Sequence, residues 1–246
     1  MKKLKFTFIL LILCTVIISA QEKKQNNFED WSSKPPKVIP AENNNAPSDA
    51  IILFSENLEE WETLEGEEVT WPASMAGFAV VPDTPGINTT QAFGSCQLHL
   101  EWRVPTNEDH GETLNWGNSG VYLMGLYEVQ IYDSYNDKHK IYYNGQAGSI
   151  YKQHKPLVNC CKPPGEWESF DIVFTAPQFN ENGSLKSPAC FTVFQNGILI
   201  QNHVEVRGAT NHSKYTEYKK HADKLPLMIQ SHGAAVEYRN IWLREL

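Results

Sequence analysis

The chain has 246 residues and a formal net charge of −8, with 29 acidic against 21 basic side chains. That balance argues against a nucleic-acid or anionic-membrane partner, since both reward a basic surface. Five cysteines in a chain of this length do not make a disulfide scaffold.

Residues 1–20 have the layout of a secretory signal peptide. Lys2, Lys3 and Lys5 form a basic start, Phe6 to Ile18 is an apolar run, and Ser19-Ala20 offers a small-residue cleavage point. The run is short for a membrane span, and nothing later in the chain approaches one. Cys14 would mark a lipoprotein, but bulky Leu13 stands where a small residue is required, so a lipid anchor is not expected. The expected location is periplasmic or extracellular. Cleavage removes three lysines and leaves 18 basic against 29 acidic residues, a net charge of −11.

Residues 21–48 are rich in Asn, Lys, Pro and Ser and read as a flexible linker. The texture changes at Ile51-Ile52-Leu53-Phe54, and 49–246 reads as one domain, long enough for a single core. Nearly every pattern in it has a period of two. Gln97 to Val104 alternates strictly, with Leu98, Leu100, Trp102 and Val104 on one face and Gln97, His99, Glu101 and Arg103 on the other.

Gly117 to Tyr135 predicts two short strands joined by a tight turn at Gly125. The second strand sends Glu128, Gln130 and Tyr132 to one face and Tyr127, Val129 and Ile131 to the other. Phe170–Phe174 and Phe191–Phe194 follow as strands, and Asn196-Gly197 is a hairpin turn into Ile198–Gln201. Only Tyr215–Lys224 has room for a helical turn. Pro226–His232 and Val236–Leu246 read as a last strand pair turning at Gly233, with a bulge where alternation slips at Arg239-Asn240. The set predicts an all-β fold, an antiparallel two-sheet jelly-roll sandwich. A sheet that curves presents its concave solvated face as a groove.

Four cysteines follow the signal: Cys96, Cys160, Cys161 and Cys190. One bridge between the adjacent pair and Cys96 or Cys190, or buried free thiols, fit equally well. No CxxC occurs, which argues against a cysteine zinc site.

Three strands spend polar faces on reactive side chains. His99, Glu101 and Arg103 lie about 7 Å apart along one strand. Glu128 and Gln130 share a face, with Asp133 following, and Gln230 shares one with His232. If these strands are neighbours in one sheet, they build a single acid, base and amide cluster. Polar outer faces are also ordinary dressing for any sandwich, so spacing alone does not decide. His139, His154, His203, His212 and His221 read as solvent-exposed, which leaves His232 as the better catalytic histidine. HExxH, EF-hand, phosphate-loop and GxSxG patterns are all absent from the sequence.

An ordered set of segments from Ile51 to Leu246 resembles the 3-keto-disaccharide hydrolase family. It opens at Leu53-Phe54 with Leu58 and Trp61, although Ser55-Glu56 replaces the common Asn-Gly. It continues through Leu100-Glu101-Trp102-Arg103, Gly117 to Tyr122, Tyr127 to Ile131, Gly148 to Tyr151 and Pro163 to Trp167. Asp171-Ile172, Asn196-Gly197, Gln230 with His232-Gly233, and Arg239-Asn240-Ile241 complete it. The resemblance implies a concanavalin A-like jelly roll acting on glycosides oxidised to a ketone at C3. A 3-ketone acidifies the C2 proton, so a base can remove it and the C1 substituent can leave. Water addition to the enone then completes a net hydrolysis.

On that basis Glu101 and Glu128 are expected as acid, base or metal ligands and His232 as the leading base. Arg103 or Arg239 is expected to hold the enolate, with a divalent cation as the alternative electrophile. Asn118, Gln130, Asp133 and Gln230 are expected to bind sugar hydroxyls. Trp116 is the expected stacking platform, and Trp167 is expected to close the core or a loop over it. The implied partner is an oxidised glycoside or disaccharide. Two other classes stay open: a non-catalytic carbohydrate-binding module or surface interaction domain, and a classical glycosidase that cleaves the unoxidised sugar. The enzymatic reading requires Glu101, Glu128, Gln130 and His232 to meet in one pocket.

Overall fold

A computed structural model describes residue 30 and residues 32–40, 46–106, 116–136 and 141–246. The expected signal peptide with Cys14, part of the linker, and His139 lie outside the described residues. Residues Val38–Leu246 form one densely connected unit, and the family resemblance falls inside it.

The strands follow the predicted period-two segments. In chain order the first are β1 (Ile51–Phe54), β2 (Trp61–Thr63), β3 (Ala73–Ser74), β4 (Gly77–Ala79) and β5 (Ile87–Phe93). Next come β6 (Cys96–Arg103), β7 (Ser119–Leu123), β8 (Tyr127–Ile131), β9 (Glu168–Thr175) and β10 (Gln178–Phe179). The last are β11 (Leu185–Ser187), β12 (Cys190–Gln195), β13 (Ile198–Glu205), β14 (Leu225–Ile229) and β15 (Glu237–Glu245).

Two antiparallel sheets make the sandwich. One runs β13-β12-β9-β6-β15-β4-β3, with β1 also paired to β15, and the other runs β2-β5-β14-β7-β8. Leu98, Leu100 and Trp102 of β6 and Phe170, Ile172 and Phe174 of β9 point inward from the larger sheet. Val121 and Leu123 of β7 and Tyr127, Val129 and Ile131 of β8 meet them from the smaller one. Tyr127 packs on Phe174 across the gap with ring centroids 5.8 Å apart. Ser119 Oγ lies 2.6 Å from Tyr238 Oη, a second tie between the sheets. Burying such a side chain is worth about 1.5–3 kcal/mol, so the alternating apolar face drives the two-layer arrangement.

Turn chemistry places the hairpins. Met124 and Gly125 both have positive φ between β7 and β8, as do Asn196 and Gly197 between β12 and β13, the geometry that matches strand twist. The bulge in β15 is present. Arg239 pairs with Glu101 but Trp242 pairs with His99, so one extra residue is inserted, and Asn240 takes φ 48°. The insertion lets Tyr238 and Ile241, three apart, both face the core.

Two expectations are corrected. Residues 226–232 and 236–246 are not a hairpin: β14 pairs with β5 and β7, β15 with β1, β4 and β6, and the chain crosses between sheets near Gly233. Tyr215–Lys224 contains no helical turn. It is held extended by Thr216 Oγ1 donating to the Ala209 carbonyl at 2.5 Å and Tyr218 Oη donating to the Val206 carbonyl at 2.8 Å. Cys96, Cys160, Cys161 and Cys190 are free thiols. Among the described residues no helix is long and apolar enough to cross a membrane.

Candidate active site

Because Tyr127, Val129 and Ile131 are spent on the core, Glu128 and Gln130 must leave β8 on the outer face of the smaller sheet. Tyr122 and Gly120 lie opposite them in the register of β7, paired with Glu128 and Gln130 respectively. Two chain segments then cover this face. Gly148–Tyr151 runs along the free edge of β8: the Gly148 amide donates to the Gln130 carbonyl at 2.8 Å and the Gln130 amide to the Ser149 carbonyl at 2.9 Å. The Tyr151 amide donates to the Glu128 carbonyl at 3.2 Å. On the same edge, the Glu128 amide donates to Thr210 Oγ1 at 3.0 Å. Both walls are therefore tied to the backbone of Glu128 itself.

The result is a cleft of about 350 Å³ with Glu128 and Gln130 in its floor. That is near the small end of ligand sites, about 300–1,000 Å³. Gln230 and His232 enter from the end of β14, Asn118 from the start of β7, and Tyr151, Asn211 and His212 from the walls. Glu128 is only 2% exposed, and its Oε2 has no hydrogen-bond partner. Burial pushes its carboxyl up to about 7, against a smaller downward pull from the Tyr122 hydroxyl. With the Gln130 amide oriented to satisfy both its atoms, its nitrogen donates to Glu128 Oε1 at 2.9 Å and to the Ser119 carbonyl at 3.2 Å. Gln230 Nε2 donates to Tyr122 Oη at 3.2 Å. Burial, and then the nearby Glu128 charge, raise the Tyr122 phenol above its ordinary value, so it stays protonated.

His232 is exposed at the rim, with Asn118 Nδ2 3.3 Å from its Nδ1. Among the described residues no three His, Cys, Asp or Glu side chains gather closely enough to hold a metal.

A model of the 3-keto-alpha-glucoside-1,2-lyase-like domain matches residues 49–244. The chain belongs to the 3-keto-α-glucoside-1,2-lyase-like family. It is similar to the crystal structure of a candidate glycosyl hydrolase from Parabacteroides distasonis, at 43% identity and a TM-score of 0.83, over 89% of this chain and 95% of that one. A second such structure from the same organism, at 21% identity and a TM-score of 0.59, covers 80% of this chain and 99% of that one and shares the fold. No curated protein matches the chain.

In this member of the lyase-like family the expected residues divide between two places. Glu128, Gln130, Asn118, Gln230 and His232 line one cleft. Glu101, Arg103 and Arg239 do not, which corrects the expectation of a single cluster. They stand on strands β6 and β15 of the other sheet, whose outer face points away from the cleft across the core. There Arg239 Nε donates to Glu101 Oε2 at 2.6 Å, and Asn240 Nδ2 donates to Oε1 at 3.0 Å. Arg103 Nη2 donates to Glu237 Oε2 at 2.7 Å. Trp167 does not close the core; its ring lies under both guanidinium groups, 4.0 Å from Arg239 Cζ and 4.9 Å from Arg103 Cζ. Period two assigns a side chain to the inside or the outside but cannot tell one sheet's outside from the other's.

Trp116 and Asp133 sit together at the far end of the β7–β8 hairpin, where the Asp133 amide donates to the Trp116 carbonyl at 2.8 Å. Neither is among the described residues lining the cleft. The sequence reading missed Tyr122, Tyr151, Thr210, Asn211 and His212. Tyr122 is legible as an outward residue of β7, and Tyr151 lies inside one of the segments that carry the resemblance. Thr210–His212 carry no periodic signal.

Proposed function

We propose that this protein is an exported carbohydrate-active enzyme that cleaves 3-keto-glycosides by β-elimination across C1–C2. The observation that carries this reading is Glu128: a carboxyl at the floor of a sugar-sized cleft, one oxygen unpartnered, poised by burial to gain or lose a proton near neutrality. The strict requirement that Glu101 join it is not met, and the reading stands on the remaining residues.

As a carboxylate, Glu128 accepts the C2 proton of the bound keto-sugar. The C2–H electrons form the C2=C3 bond, and negative charge builds on the C3 oxygen. Among the described residues no arginine lines the cleft, so its neutral donors hold that oxygen. The charge then returns: the ketone reforms, C1=C2 appears, and the C1–O bond breaks. The departing oxygen takes a proton from His232, which solvent then reprotonates as Glu128 gives up the C2 proton, and the aglycone leaves as a neutral alcohol. Compared with the sequence-based expectation, Glu128 rather than His232 is the base. Adding water across the enone gives net hydrolysis.

A classical glycosidase needs two carboxyl groups flanking the bond, about 5–9.5 Å apart. Among the described cleft residues Glu128 is the one carboxylate, which favours elimination. The test is to incubate the purified protein with a 3-keto-glucoside and with its unoxidised parent. Aglycone should appear from the ketone alone; equal release from both overturns the elimination reading. Amino-terminal sequencing of the protein recovered from its host tests export: a start at Gln21 supports it and an intact Met1 overturns it.

A further inference from the structure

The cleft does not end at Tyr151. A second cavity of about 420 Å³ shares Tyr151, Asn211 and His212 with it and is walled further by Lys152, Lys214 and Tyr215. Two properties set this annex apart. Its described lining holds two lysines and no carboxylate, in a chain whose net charge is −8. It is also bordered by aromatic rings held in place by cations. Lys152 Nζ lies 4.5 Å from the centroid of the Tyr142 ring and 5.8 Å from that of Tyr151. Arg207 Cζ lies 4.7 Å from the centroid of the Tyr215 ring. Tyr142 Oη and Tyr151 Oη lie 2.6 Å apart, and Tyr215 is 57% exposed, a large ring left open to solvent.

Neither Lys152 nor Lys214 is in an ion pair among the described residues, so both ammonium groups are available to an anion. Lys152 is held in the left-handed region at φ 59°, and its amide donates to the Asn144 carbonyl at 2.8 Å. The loop is therefore fixed with its cation at the annex.

We propose that the annex is the aglycone subsite and takes an aromatic leaving group bearing an anionic substituent, such as a carboxylated phenol. This rests on the elimination reading for the sugar half of the site. The tyrosine rings offer faces to a planar group, and the two lysines meet its charge.

The test is calorimetric binding of the unoxidised 4-carboxyphenyl glucoside and of its methyl ester to the full chain. The ester keeps the planar ring and carbonyl, adds one methyl and removes the charge. The acid should bind roughly five- to tenfold more tightly, as two partly exposed ion pairs allow. Lys152→Met with Lys214→Met should erase that difference between acid and ester. Lys214→Met alone, at an exposed position, should halve the advantage or more even if the double variant folds poorly. Equal or undetectable binding of acid and ester overturns the proposal, as does a preference that survives both variants. Preferential binding of the acid together with no turnover of any 3-keto-glucoside would sink the elimination reading and leave the annex standing.

Discussion

A β-carbon placed on Gly120 would stand 2.6 Å from Glu128 Oε1 and 3.1 Å from its Cγ. Gly120 is diagonal to Glu128 on the neighbouring strand, and its missing side chain is the space into which the carboxylate folds. Gly120→Ala should push the Glu128 carboxyl out of place. Overpacking of this kind costs about 1–3 kcal/mol. The expected outcome is a moderately lower melting temperature with aglycone release reduced at least tenfold. Normal release from a stable Gly120→Ala protein would show that the carboxyl position is not critical.

Glu128 also sets a pH dependence. Its folded-state value, about 7, lies above the ordinary 4.5, and burial is the main cause. A raised folded value means the folded protein binds more protons. The contribution of this one group is therefore greatest below 4.5 and falls as pH rises to about 7, by on the order of 3 kcal/mol. Glu128→Gln should remove that slope in denaturant titrations between pH 4.5 and 7. A slope unchanged by the substitution would refute the burial argument.

The same group should govern catalysis in the opposite direction. If the carboxylate is the base, kcat/KM on a 3-keto-glucoside rises with pH with a midpoint near 7. Glu128→Gln should lower kcat by at least a hundredfold and leave the melt at pH 7 equal or higher. A mutant that keeps the wild-type rate profile would transfer the role of base to another group.

His232 and Asn118 should behave as one unit. Asn118 orients the imidazole through its Nδ1 contact, so removing the amide frees the ring. Asn118→Ala and His232→Ala should each reduce kcat, and the double variant should be no worse than His232→Ala alone. Additive losses would show that the two act independently.

Arg239 tests the division between the two faces. It is bonded to Glu101 and stacked on Trp167, on the sheet that does not carry the cleft. Arg239→Met leaves Glu101, 7% exposed, with Asn240 as its remaining partner. The expected cost is about 1–3 kcal/mol of stability. Turnover per folded molecule should stay within about twofold. A collapse of turnover without loss of stability would return Arg239 to the reacting centre.

Local chemistry made much of this protein readable from its residues. Alternation between Gln97 and Val104 and between Tyr127 and Ile131 marked strands and their buried faces. Asn196-Gly197 marked its turn, and the slip at Arg239-Asn240 marked the bulge. Glu128 and Gln130 were legible as outward neighbours, because a strand that buries Tyr127, Val129 and Ile131 has no other face for them. What remained hidden was non-local. Gln230–Val236 reads like a hairpin turn, yet it carries the chain from one sheet to the other, since strand pairing is set by packing across the whole core. Glu101 and Glu128 have the same outward parity, and only the assembled sandwich puts them on opposite sides. The rise in the Glu128 carboxyl likewise belongs to the tertiary structure. It comes from Gly148–Tyr151 and Thr210 closing over a strand that, by its own sequence, is half open to water.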